Sequence, residues 1–343
     1  MSTLSCLGLA EAVVRLGHLA PEVHRLRTDF AKSAYRATEN PLLGYEFKAN
    51  YRDDQNPNLR ESFPYTNADG QRDVERRVER IPGKRRLLVL GDSVVAGHGI
   101  REIAQTIPGQ LERQAKPEEL EALNFGVGGY CTRAEVELLR AKGLKYRPDA
   151  VLVVFVSNDY DNYSGQVAHT LRQRPMADWL FIHSSLFRTA SLRLNLFHYR
   201  DEIDPGWAKR RNEEAIGDNN VETGFRELAT LGHEHGFPVT IAIWPTFLED
   251  GIVDEGHPTG PRYRLDERSK VIRLSRRNGF PTIALSAAFQ SDYEARCAAP
   301  ANCVSPSALY TTGDGLHPSP LGAEVAAAAL RETVRTLVGL PPP

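Results

Sequence analysis

The 343-residue chain is short of the features that mark special classes of protein. Four cysteines are too few for a disulfide scaffold. No apolar run approaches the roughly 20 residues that a bilayer span needs, so no membrane span is expected in this chain. A net charge of −2 gives no field for nucleic acid or an anionic membrane, and neither partner is expected. The opening MSTLSCLGLAEAVVRLGHLAPEV lacks the basic start and long apolar centre of a signal peptide. It reads as a short helix, with the remnant of a clipped anchor as the alternative. The compartment stays open: cytoplasmic by default, the cell envelope if an anchor has been lost. There is no internal repeat and no low-complexity tract. With 41% hydrophobic and 25% charged residues the composition is that of an ordinary globular protein.

What is present is a rhythm. Residues 1–83 read as an N-terminal extension, a short helix followed by irregular and β segments rich in Asn, Pro, Asp and Arg. Residues 84–343 alternate strand-like runs (RLLVLG, EALNFG, DAVLVVFVS, PVTIAIW, PTIALS) with helical patterns. The last helix is PLGAEVAAAALRETVRTLVGL. Such alternation predicts right-handed crossovers and a parallel sheet. Gly143, Gly236 and Gly279 follow helical stretches and are expected to cap them. One interval, about 160–219, breaks the rhythm with MADWLFIHSSLFRTASLRLNLFHY at its centre. It is read as a helical insertion, forming either a lid or substrate wall or simple aromatic packing on the domain.

The chemistry gathers in fragments, each with a plain alternative. In RRLLVLGDSVVAGHGI a buried strand ends in Gly91-Asp92-Ser93, which makes Ser93 either a helix N-cap or a nucleophile. A nucleophile needs a base and an orienting acid. TTGDGLHPSP supplies Asp314 and His317 three apart before the last helix. DEGHP repeats that spacing at Asp254 and His257, without a following amphipathic helix, and is taken as a solvated loop. LNFGVGGYCT ends a strand in glycines whose N–H groups suit an oxyanion, or is a plain glycine-rich turn. VFVSNDYDN ends a strand in Asn158, a cap or an amide donor. Cys131 reads as a buried packing residue. Cys297 and Cys303 would close a small loop in an oxidising compartment, or stay as two thiols. Zinc is weakly supported, because C-x5-C has no second pair.

Taken in order, the blocks GDS (91–93), NFGVGGY (124–130), SND (157–159) and DGLHP (314–318) resemble the SGNH hydrolase superfamily, the GDSL-type esterases and lipases. The resemblance runs from about Arg85 to the C-terminus. NPLLGYEFKANY and TNADGQRD, ahead of it, are similar to one mostly bacterial branch in which several members act on acyl groups of polysaccharides.

The resemblance implies an α/β fold, a three-layer α/β/α sandwich with a flavodoxin-like parallel sheet of about five strands in the order 2-1-3-4-5. It implies Ser93 as nucleophile, His317 as general base and Asp314 orienting it. The oxyanion hole would comprise the N–H groups of Ser93 and Gly129 and the side-chain amide of Asn158. Gly129 is preferred to Gly126 because the donor glycine lies five residues after Asn124. Val94 replaces the usual Leu, and Ser157 stands where many members have Gly. No metal and no organic cofactor is implied. The expected partner is a small-molecule or carbohydrate ester, with a short acyl group such as acetyl. The alternatives are an O-acyltransferase using the same triad and a non-catalytic glycan-binding module.

Overall fold

The aliphatic run before Ser93 is strand β1 (Arg85–Gly91), buried from Arg86 onward, at the centre of a parallel sheet. The computed structural model describes residues 3–23, 34–38, 40–52, 65–160, 175–200, 213–254, 267–298 and 303–341. Strand β1 pairs with β2 (Leu120–Gly126), setting Leu87 against Ala122, and with β3 (Ala150–Phe155), setting Leu87 against Ala150. Strands β4 (Val239–Ile243) and β5 (Thr282–Ala284) extend the other edge. The order is β2-β1-β3-β4-β5, all parallel, which is the expected 2-1-3-4-5.

Both faces are covered, which is why the strands are apolar without alternation. On one face Leu87, Val89, Leu152 and Val154 pack with Ile107 and Leu111 of the helix Ile107–Gln114 and with Ala326 and Leu330 of Pro320–Leu337. On the other, Phe155 meets Phe225 of the helix Asn220–His235, ring centroids 6.3 Å apart. The strand order reverses between β2-β1 and β3-β4-β5, so a crevice opens at the carboxyl ends, where ligands of such sheets bind.

Gly236 and Gly279 adopt positive φ (74° and 75°) after their helices, as expected. Gly143 does not. The stretch RAEVELLRAKGLKY is a helix over Thr132–Leu138, a π turn over Leu139–Gly143 and a 3-10 turn over Leu144–Tyr146, and Arg147 takes the left-handed position. A side chain at Gly143 would meet Leu139 and Leu88 within 3.0 Å. The residue is glycine for helix–sheet contact, not for capping.

The chain divides into two compact units, Met1–Glu46 with Ser164–Ala215, and Phe47–Tyr163 with Ile216–Pro343. The first contains the helix Thr3–Leu16 and the helices Pro175–His183 and Ser185–Leu194. Within it Glu11 accepts hydrogen bonds from Ser184 Oγ (2.8 Å) and from the N–H groups of Ser185 (2.9 Å) and Leu186 (2.8 Å), capping the start of the third helix.

Residues 47–83, read from sequence with the N-terminal extension, lie in the second unit. The physical reason is a set of buried charges. Asp73 accepts from the N–H of Asn124 on β2 (3.0 Å) and pairs with Arg76 (3.0 Å). Arg72 donates to the carbonyls of Ile100 and, at 3.0 Å, Arg101. Cys297 and Cys303 form a disulfide. Among the described residues no helix is long and apolar enough to cross a membrane.

Candidate active site

At the end of β1 the chain turns directly into the short helical turn Ser93–Ala96. The N-cap is Asp92, whose Oδ1 accepts from the N–H of Val94 at 2.8 Å. Ser93 is therefore not the cap of this turn. The Ser93 Oγ lies 3.2 Å from Asp92 Oδ2. It meets Nε2 of His317 at 2.9 Å.

His317 comes from a loop built to hold it. The N–H of Thr312 donates to the His317 carbonyl (2.8 Å), and the N–H groups of Gly313 and Gly315 both donate to Thr311 Oγ1 (3.1 Å). Gly315 has φ 77°, and a side chain there would strike the Phe247 carbonyl at 2.6 Å, so glycine is required. Asp314 Oδ2 lies 2.6 Å from His317 Nδ1, while its Oδ1 accepts from the N–H groups of Leu316 (3.0 Å) and His317 (2.9 Å). Partial burial works to raise the Asp314 carboxyl, yet the His317 ring and those two N–H groups hold it far below the usual carboxylate range. An ionised Asp314 fixes the Nδ1–H tautomer and leaves Nε2 free to accept the Ser93 proton.

The glycine block follows β2. Asn124 Nδ2 donates to the Val95 carbonyl (3.0 Å), and its Oδ1 accepts the Gly126 N–H (3.0 Å). Gly126 is thereby engaged, and it lets β2 approach so closely that a side chain would meet Ala96 N at 2.2 Å. Gly129, at φ 79°, has no hydrogen bond to its N–H among the described residues. Asn158 follows β3 in the turn Ser157–Tyr160 and donates one amide N–H to Asp92 Oδ2 at 2.7 Å. No other partner of its amide nitrogen is seen among the described residues.

Four neighbours, His98, Asp92, Glu135 and Asp159, were given no role from the sequence. His98 lies against His317, ring centroids 4.5 Å apart and planes at 46°. Burial first, then His317 beside it, push its imidazole down to about 4, so it is neutral at ordinary pH. Its only sequence signal is its place between Gly97 and Gly99.

Behind Ser93 lie Asp92, Glu135 and Asp159, each fully buried. Both Glu135 oxygens and Asp159 Oδ1 are without hydrogen-bond partners among the described residues. Burial, with the Asp92 charge nearby, raises Glu135 well above its ordinary range. Burial, Glu135 and Asp92 do the same to Asp159 against the pull of the Val156 N–H. Both carboxyls are thus pushed toward the protonated form. Cys131 is buried and its thiol is pushed up to about 12, chiefly by burial, which matches a packing residue.

The second Asp-x-x-His stretch behaves differently from its twin. Asp254 is not a solvated loop residue: its side chain is 11% exposed and pairs with Arg268 at 2.6 Å. His257 lies outside the described residues.

A parallel α/β/α sandwich with a serine, imidazole and carboxylate in line at the sheet's carboxyl edge is the architecture of the SGNH hydrolases, which this chain resembles in four ordered blocks. Among solved structures it is similar to the lipase/acylhydrolase from Enterococcus faecalis, with 18% identity over 76% of this chain and 98% of that one and a TM-score of 0.43. It is also similar to the psychrotrophic esterase EstA from Pseudoalteromonas sp. (15%, 75% and 100%, 0.42). A third is the carbohydrate acetylesterase family member from Sinorhizobium meliloti (13%, 75% and 100%, 0.39). No family profile matches the chain, and no curated relative does.

Proposed function

We propose that this chain is a serine esterase of the SGNH type that hydrolyses short acyl groups, such as acetyl, from a carbohydrate or small molecule. The observation that carries the reading is the unbroken contact from Ser93 Oγ to His317 Nε2 (2.9 Å) and from His317 Nδ1 to Asp314 (2.6 Å).

His317 takes the proton of Ser93 as its oxygen attacks the ester carbonyl. The N–H groups of Ser93 and Gly129 and the second amide proton of Asn158 receive the oxyanion. Asp92 serves this hole indirectly, because its hold on Asn158 aims the amide. The protonated His317 gives its proton to the leaving alcohol, and the acyl group stays on Ser93. Water then loses a proton to His317 and attacks the acyl carbonyl, and His317 returns that proton to Ser93 Oγ as the acyl–oxygen bond breaks and the acid leaves. Asp314 keeps its negative charge throughout and stabilises the imidazolium.

The test is hydrolysis of p-nitrophenyl esters from acetate to palmitate by the wild type and by Ser93→Ala. The reading expects turnover greatest at acetate and lowered by roughly 10^4-fold or more in the variant. Equal turnover by both proteins would remove Ser93 as nucleophile. Diversion of the acyl group to an added sugar, at the expense of free acid, would make the protein a transferase using the same residues.

A further inference from the structure

The block TNADGQRD, residues 66–73, takes no part in the steps above, yet its last two residues reach the segments that carry them. Asn67 folds it into a compact turn. Its Oδ1 accepts from the N–H groups of Asp69 (3.1 Å) and Gln71 (2.8 Å), and its Nδ2 donates to Gln71 Oε1 (3.0 Å). Asp73 is pinned to the N–H of Asn124 on β2 (3.0 Å), which fixes the backbone beside Arg72. Arg72, wholly buried, donates from one nitrogen to the carbonyls of Ile100 and, at 3.0 Å, Arg101.

Those carbonyls end the loop Gly97–Arg101. Its glycines Gly97 and Gly99, at φ 74° and 82°, would leave it a wide choice of conformations without an outside hold. The loop touches the catalytic arrangement twice. The His98 ring lies against the His317 ring, centroids 4.5 Å apart. Gly99 lies so close to Thr312 that a side chain there would meet Thr312 Cγ2 at 2.5 Å. Thr312 Oγ1 in turn donates to Asp314 Oδ2 (3.1 Å), and its N–H to the His317 carbonyl (2.8 Å). The loop thus backs both the base and the acid that orients it.

We propose that Arg72 is a positioning residue of the active site: through the carbonyls of Ile100 and Arg101 it holds the Gly97–Arg101 loop against His317 and Thr312, and so keeps the base aligned on Ser93. The assignment rests on the esterase reading for the step it serves.

The experiment measures p-nitrophenyl acetate turnover by the wild type, Arg72→Met, Arg72→Lys, Gly99→Ala and a control, Arg335→Met. Arg335 is also buried, and donates to the Ala115 carbonyl (3.1 Å) and to Glu119 (2.8 Å) at the amino end of β2. Each rate is referred to the folded fraction read by circular dichroism. Arg72→Met is expected to lower kcat about a hundredfold with KM within about threefold, the cost of a small misplacement of the base. Arg72→Lys keeps the charge but is shorter and lacks the planar fork, so it should lose less. Gly99→Ala pushes on Thr312 without touching Arg72 and should lose about tenfold or more. Arg335→Met should keep its kcat. A folded Arg72→Met with kcat within about threefold of wild type overturns the assignment, as does an equal fall in Arg335→Met. Should neither Arg72 variant fold, an unchanged rate in Gly99→Ala overturns it.

Nitrogen-15 spectra of the histidine rings read the alignment without turnover. The wild type should hold His317 as the Nδ1–H tautomer, and Arg72→Lys and Gly99→Ala should show a mixture of the two forms. That difference supports the clamp even if the wild type hydrolyses nothing, in which case the esterase reading alone falls. The same tautomer in all three proteins overturns it.

Discussion

The two sides of Ser93 treat the same functional group in opposite ways. On the solvent side Asp314 is 43% exposed, receives two backbone N–H groups and the His317 ring, and is ionised. On the interior side Glu135 is fully buried, its carboxylate receives no hydrogen bond among the described residues, and burial pushes it well above its ordinary range. Donors, not distance from the nucleophile, decide which acid carries charge. The arrangement places an anion beside the imidazole and disfavours further charge, beyond that of Asp92, in the buried space behind the serine.

The largest effect that bears on this contrast should come from Asp314→Asn. It keeps the shape and removes the charge, and kcat should fall roughly a thousand- to ten-thousandfold. The melting temperature should move little, since the group is half exposed. A fall below about tenfold would show that the solvent-side charge is dispensable.

Glu135→Gln should show the reverse pattern, with a rate close to wild type and a changed dependence of stability on pH. Unfolding exposes Glu135, whose ordinary value is 4.5, and above that pH the unfolded chain loses a proton that the native state holds. Wild-type stability therefore declines as pH rises beyond 4.5, by at most about 1.4 kcal/mol per unit for this group. The glutamine variant has no such proton and should gain on the wild type between pH 5 and 8 in thermal melts. A constant difference across that range would mean that Glu135 is charged in the native state.

The smallest effect belongs to His98→Phe, which preserves a ring against His317. Because His98 is already uncharged above about pH 5, the acid limb of the pH–rate profile should not move, and kcat should change by less than about tenfold. A shifted limb would make His98 part of the proton path.

Much of this was readable in advance, and the exceptions share a cause. The strands were legible because a sheet covered on both faces demands uninterrupted apolar runs, as in Leu87–Leu90 and Ala150–Phe155. Ser93, Asn158, Asp314 and His317 could be proposed from the sequence because each stands where a strand or a loop ends, and the structure places Ser93, His317 and Asp314 in contact. Gly143 misled because a glycine after a helical run looks alike whether it caps the helix or admits a neighbour, and only the contact with Leu88 tells them apart.

Glu135 was invisible because an acid in the first turn of a helix is favoured there on the surface too. Asp254 was set aside as a loop residue, since its partner Arg268 lies beyond a gap in any local pattern. Residues whose role depends on burial or on a distant partner leave no trace in spacing.

The contact between Ser93 and His317 closes over 224 positions of chain. In the proposed mechanism the nucleophile and its base therefore lie in two halves of the sequence that only the fold unites. Two separately expressed pieces divided between those halves would regain activity only on meeting, which turns the fold into a proximity reporter.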